Sequence, residues 1–136
     1  MSTEENKALI RRYWQASNEH NVDILDELMT TDYVQHETTG DINLKDVKAF
    51  DTMAIAAFPD ITNTIDDIIA EGDRVVVRTT TSGTHKAEYR GIPPTGKTAV
   101  ITEVGIYRIS KGKIAEGWSL YDALGLMQQL GVIPSQ

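Results

Sequence analysis

The chain has no cysteine. That excludes a disulfide scaffold and every thiolate metal site. Its three histidines, His20, His36 and His85, lie far apart with none of the spacings that build a zinc site, so no metal is expected. Basic charge is scarce: 13 Lys and Arg stand against 20 Asp and Glu, a net −7. This argues against nucleic acid as the main partner, because phosphate binding needs a basic surface. Long hydrophobic runs are missing too. Apolar stretches reach about five residues at Ala54 to Phe58, far below the ~20 of a membrane-spanning helix, so no membrane partner is expected. The stretch from Met1 to Trp14 is charged and holds no apolar signal core. The expectation is a cytoplasmic protein. No G-x-S-x-G elbow is present, so a serine nucleophile finds no support.

What is present is one domain's worth of chain, 136 residues and 15.1 kDa, read as a single domain over 1–136. Its charge is lopsided. Residues 1–73 carry 16 acids and five bases, whereas residues 74–136 carry four acids and eight bases. The acids of the first half are dispersed, as on solvated helix faces and turns.

Ser2 with Glu5 three residues on fits a capping box. Leu9, Ile10, Tyr13, Trp14 and Ser17 then recur at helical spacing up to His20-Asn21. A short second helix is expected through Ile24, Leu25, Leu28 and Met29, and a short strand from Asp32 to His36. Leu44, Val47, Phe50, Ala54 and Phe58 predict an amphipathic helix stopped at Pro59. Beyond it the texture turns β-branched. Ile61 to Ala70, the turn Glu71-Gly72-Asp73 and Val75-Val76-Val77 predict one hairpin. Val100 to Ile109, Lys111-Gly112-Lys113 and Ile114 to Leu120 predict another. Asp122 to Leu130 reads as a final helix with Gly131 as its stop. Helices followed by long strands argue an α+β fold, with helices on one face of a curved antiparallel sheet. Strands apolar on both sides need cover on both faces. The helices supply one cover, and the other points to a homodimer, with a tetramer as the wider arrangement.

Gly91-Ile92-Pro93-Pro94-Thr95-Gly96-Lys97-Thr98 matches the phosphate-loop expression letter for letter. The physics opposes nucleotide binding. Pro93 and Pro94 have no N–H to offer a phosphate, and a strand rather than a helix is expected next. A stiff connection at a pocket rim is the better reading.

Acid–base chemistry remains. The sheet half holds only Glu88, Glu103, Glu116 and Asp122 as acids. Glu103 is embedded in an apolar strand, sharing a face with Gly105 and Tyr107. A carboxyl held among apolar groups shifts its pKa upward and becomes a proton shuttle near neutrality. Glu103 is equally placed to pair with Arg78 or Arg108 across the sheet. Asp122 immediately precedes the last helix and fits its N-cap as readily as a pocket position. On an unbroken last strand, Glu116 and Asp122 share the parity of Ile114, Trp118 and Leu120. His36, alternating with Val34, fits a hydrogen-bonded core histidine.

The set Ala70-Glu71-Gly72-Asp73-Arg74-Val75-Val76-Val77-Arg78, Gly83-Thr84-His85, Gly91 to Lys97, Gly112 to Trp118, Asp122 and Gln129-Leu130-Gly131 resembles the SnoaL-like polyketide cyclases, or ester cyclases. The resemblance spans nearly the whole chain. It implies the nuclear transport factor two-like cone, a cystatin-like α+β barrel with a curved antiparallel sheet wrapped around N-terminal helices and a pocket inside. It also implies a cofactor-free intramolecular aldol condensation on a small-molecule, polyketide-like ester. In such cyclases an aspartate near the end of the last strand is the acid/base, and Asp122 occupies the matching position. Trp118, Tyr107 and Trp14 would line the substrate site, with Glu103 and His36 beside them. The chain departs from the cyclases on the strand before the last, where they carry Gln and His and this one carries Glu103, Gly105 and Tyr107. Two other readings stand beside the cyclase: a binding module for an apolar small molecule, and an epoxide-hydrolase-like enzyme of the same superfold using Arg78, Glu103 and Asp122 as an Asp–Arg–Asp set.

Overall fold

The computed structural model describes residues 2–134. Helix α1 (Thr3–Asn18) opens on the expected capping box, with Ser2 Oγ accepting the Glu5 N–H and Glu5 Oε1 accepting the Ser2 N–H. A single turn, α2 (Leu25–Leu28), leads into strand β1 (Met29–Glu37). A short strand β2 (Gly40–Asn43) pairs back on β1, and its Asn43 caps α3 (Leu44–Ala57). Then come β3 (Thr62–Glu71), β4 (Arg74–Thr84), β5 (Thr98–Ser110), β6 (Lys113–Tyr121) and α4 (Ala123–Gln129).

The six strands form one curved, unclosed sheet in the order β2-β1-β6-β5-β4-β3. Both expected hairpins are present. Glu71 pairs with Arg74 around Gly72, whose φ is +58°, and Ser110 pairs with Lys113 around Lys111 and Gly112, both at positive φ. The sheet is not wholly antiparallel. β1 runs parallel to β6, because α3 and the β3–β5 strands intervene before the chain returns beside it.

Helix α1 packs on β3 and β4, α3 on β1 and β2, and α4 on β5. One core gathers Ile10, Tyr13, Trp14, Tyr33, Val75, Val77, Tyr107 and Ile114, and a second gathers Ala57, Phe58, Tyr89, Leu126 and Leu130. Asn18 and Asn63 lock α1 to β3, exchanging N–H···O bonds at 2.7 and 2.9 Å.

The phosphate-loop look-alike is a connection between strands. His85 and Lys97 pair across its base, Gly91 and Gly96 take positive φ, and β5 begins at Thr98 directly after it. No helix opens there, because the strand expected from Ala99-Val100-Ile101 follows directly.

Candidate active site

Strand register decides which side chains face the interior. Directly paired residues share a face. One inward row runs Gln35, Gly117, Tyr107, Val75 and Ala70, and the next places Tyr121 beside Glu103 and Thr79. The outward row is Ile69, Val76, Ile106, Trp118 and His36.

The inward rows and the facing sides of α1 and α3 enclose a cavity of about 150 Å³. Aromatic rings form much of its wall, among them Trp14, Phe58, Tyr107 and Tyr121. Tyr107 lies against the sheet because positions 105 and 117 are glycine. A Cβ at Gly105 would sit 2.9 Å from its ring, and one at Gly117 3.1 Å.

Three carboxyls line this cavity: Glu37, Asp51 and Glu103. Burial pushes Glu103 up to about 7, and the charges of Glu37 and Asp51 push the same way, against a hydroxyl contact from Ser119. Burial alone raises Asp51 to about 7. Tyr107 is driven well above its ordinary value, first by burial. Glu37 ends a chain of side-chain bonds: Tyr33 Oη donates to Gln35 Oε1 at 3.1 Å, and Gln35 Nε2 donates to Glu37 Oε1 at 2.5 Å.

Of the residues singled out from sequence, Glu103, Tyr107 and Trp14 line the cavity. The cross-strand ion pair open to Glu103 is not formed. Arg78 faces outward and pairs with Asp66 and Asp67, and Arg108 pairs with Glu116 at 2.9 Å. Arg78, Glu103 and Asp122 therefore do not converge, and the Asp–Arg–Asp arrangement is absent.

Asp122, Trp118 and His36 are placed differently from the expectation. Asp122 is exposed and outside the cavity lining. Its Oδ1 accepts the Gly125 N–H at 2.8 Å, capping α4. β6 ends at Tyr121, so Asp122 turns into the helix instead of continuing the strand. Trp118 stacks on His36 at 5.0 Å on the outer face, under the Arg74 guanidinium at 4.9 Å. His36 bonds Glu116 at 2.6 Å and Asp41 at 2.8 Å, and these bonds raise its pKa. It is an outer-face histidine, not a core one. The parity expected of the last strand also breaks. The β5–β6 register shifts between Arg108 and Ile109, so Ile114 is buried while Glu116 faces out.

Two site carboxyls escaped the sequence reading. Asp51 sits four residues after Val47 and three before Ala54, on the apolar stripe of α3, and an acid on such a stripe is the signal that would have found it. Glu37 follows Tyr33 and Gln35 at strand spacing, on the parity opposite to the Val34 and His36 taken as inward.

This open sheet wrapped on N-terminal helices, with the cavity between them, is the nuclear transport factor two-like cone. Within that class, the model of the SnoaL-like polyketide cyclases matches residues 7–130, and the chain belongs to that family. Solved structures agree. AclR from Streptomyces galilaeus, a proposed hydroxylase, superposes with a TM-score of 0.93 at 29% identity, covering 99% of this chain and 86% of its own. IdmH from Streptomyces antibioticus, a proposed polyketide cyclase, gives 0.83 at 31% identity over 93% and 98%. TsrD from Streptomyces laurentii gives 0.88 at 27% identity over 98% and 99%. No curated protein matches this chain.

Proposed function

We propose that the chain is a cofactor-free acid/base catalyst acting on a carbonyl or ester substrate inside the cone, with Glu103 as the proton carrier. The observation that carries this is a carboxyl raised to about 7 on the wall of an aromatic-lined cavity, with no ion pair among the described residues to hold it charged. A group poised there is efficient in both directions of proton transfer.

For an intramolecular aldol closure the steps balance without a cofactor. Ionised Asp51 takes a proton from a methylene flanked by carbonyls. The resulting enolate carbon bonds to a second carbonyl carbon of the same molecule. The oxygen of that carbonyl takes a proton from neutral Glu103. Glu103 and Asp51 have then exchanged protonation states, and one proton passing between them resets the pair. The charge of Asp51 raises Glu103, which favours this division, since two carboxyls lining one cavity resist ionising together. The folded substrate chain supplies the orientation that makes closure fast.

The test is turnover on a panel of β-dicarbonyl methyl esters. Glu103→Gln should lose at least about a hundredfold, and Asp122→Asn should stay within about twofold because its carboxylate caps a helix. Equal turnover by Glu103→Gln would remove Glu103 from the chemistry. Ligand binding without turnover by the native protein would favour the binding module.

We also propose that the outer sheet face joins two copies in a cytoplasmic homodimer. Val104 and Leu120 are paired neighbours there, Ile106 and Ile69 lie in the adjacent row, and all four are exposed. Val104→Lys should yield a monomer by light scattering, whereas an unchanged mass would reject this interface. Among the described residues no helix is long and apolar enough to cross a membrane.

A further inference from the structure

We propose that the cavity selects a compact, single-ring-sized ligand end bearing a basic nitrogen, and rejects ligands carrying a carboxylate or phosphate. The inference rests on reading this cavity as the site, and it concerns which ligand binds there.

The lining decides the sign. Glu37, Asp51 and Glu103 line the space, and among the described residues no Lys, Arg or His belongs to this wall, although His20 lines the smaller neighbouring pocket that Asp51 also borders. The His85 imidazole stacks on the wall ring of Phe58 at 5.2 Å, and the guanidinium set against wall rings among the described residues is that of Arg90. Arg90 is exposed, with its guanidinium 5.0 Å over Phe50 and 5.7 Å over Tyr89. It thus stands outside the cavity on the faces of its rings. An anion entering would meet three acids and no counter-charge. A cation would meet carboxylates and the aromatic residues Trp14, Tyr107 and Tyr121, whose π systems attract positive charge at their faces.

Trp14 is 7% exposed and lines the cavity with its ring, while its indole nitrogen is closed off from the space and has no hydrogen-bond partner among the described residues. It therefore offers the ligand an aromatic surface and no donor.

Size gives a further constraint. The cavity holds about 150 Å³, a volume in which an engineered apolar protein cavity takes a benzene molecule. One ring fits inside, and any larger body must remain at the mouth.

Charge also couples binding to protons. A cation favours the ionised form of the carboxyls around it. Its binding near neutrality therefore expels a proton from the protein, which an uncharged ring does not do.

The test uses the whole protein and three matched probes: benzylamine, methyl benzoate and benzoate. Dissociation constants are read by ligand-observed NMR at about pH 8, where the raised carboxyls are mostly ionised. Benzylamine should bind at least about tenfold tighter than methyl benzoate, and benzoate at least about tenfold weaker. Calorimetry near pH 7 in two buffers of different ionisation enthalpy should report proton release with benzylamine and none with methyl benzoate. The double variant Asp51→Asn, Glu103→Gln should bring benzylamine and methyl benzoate to similar affinity. If that variant does not fold, proton release by the native protein carries the test. Benzoate binding as tightly as benzylamine, benzylamine no better than the ester, or no saturable benzylamine binding would each overturn the proposal. The turnover test of Glu103→Gln stands apart, because it can fail while the charge preference remains, and the reverse.

Discussion

Asp51 on α3 and Glu103 on β5 line the same cavity, and the charge of Asp51 adds to the burial that holds the Glu103 carboxyl protonated near neutrality. Neither sits on an element end or a loop. Each is held by a packed helix or a central strand, so the pair is fixed by the fold itself.

The first consequence concerns stability against pH. A carboxyl raised in the folded state binds its proton more tightly there than in the unfolded chain. Stability from such a group is present below its ordinary value and is lost as pH rises through about 7, the value of both Asp51 and Glu103. Urea midpoints should therefore fall between about pH 5.5 and pH 8. Asp51→Asn should flatten that fall and gain on the order of 2 kcal/mol at pH 8 relative to the native protein. A native midpoint that rises over this interval would contradict the raised values.

Asp122 should behave as a helix cap. Its Oδ1 accepts the Gly125 N–H, and Asp122→Ala should cost about 1 kcal/mol in urea denaturation. Asp122→Asn should cost much less, since an amide oxygen still caps. Equal losses from both would mean that the charge, and not the cap, is what counts.

The glycines under Tyr107 make a third prediction. A methyl at position 117 would press on the Tyr107 ring at 3.1 Å and also meet the Tyr33 hydroxyl. Gly117→Ala should lose about 1–3 kcal/mol by overpacking and weaken ligand binding by pushing Tyr107 toward the cavity. Unchanged stability and binding would show that the ring has room to move.

Much of the fold was legible because local rules and the tertiary structure agree. Ser2 and Glu5 cap α1, Pro59 closes α3, and Gly72 and Gly112 turn the two hairpins. Strand β2 was missed, since Gly40–Asn43 is four residues without an apolar pattern. The site was half legible. Glu103 and Tyr107 share a strand face, and alternation alone pairs them. Glu37 was lost because Val34 and His36 looked more like inward residues than Gln35 and Glu37. The parity of a strand flanked by both neighbours is set by pairing, not by its own composition. Asp122 stands immediately before the last helix, a position that suits a pocket residue or a cap in sequence, and in the structure it is the cap.

The central claim is that the cavity holds Glu103 near the midpoint of its titration at neutral pH. Carbon-13 NMR of the side-chain carboxyl, assigned by Glu103→Gln, follows that titration directly and needs no substrate. The account predicts a midpoint near 7 for Glu103, shifting downward in Asp51→Asn as the neighbouring charge is removed. A midpoint near 4.5, the ordinary glutamate value, would contradict it.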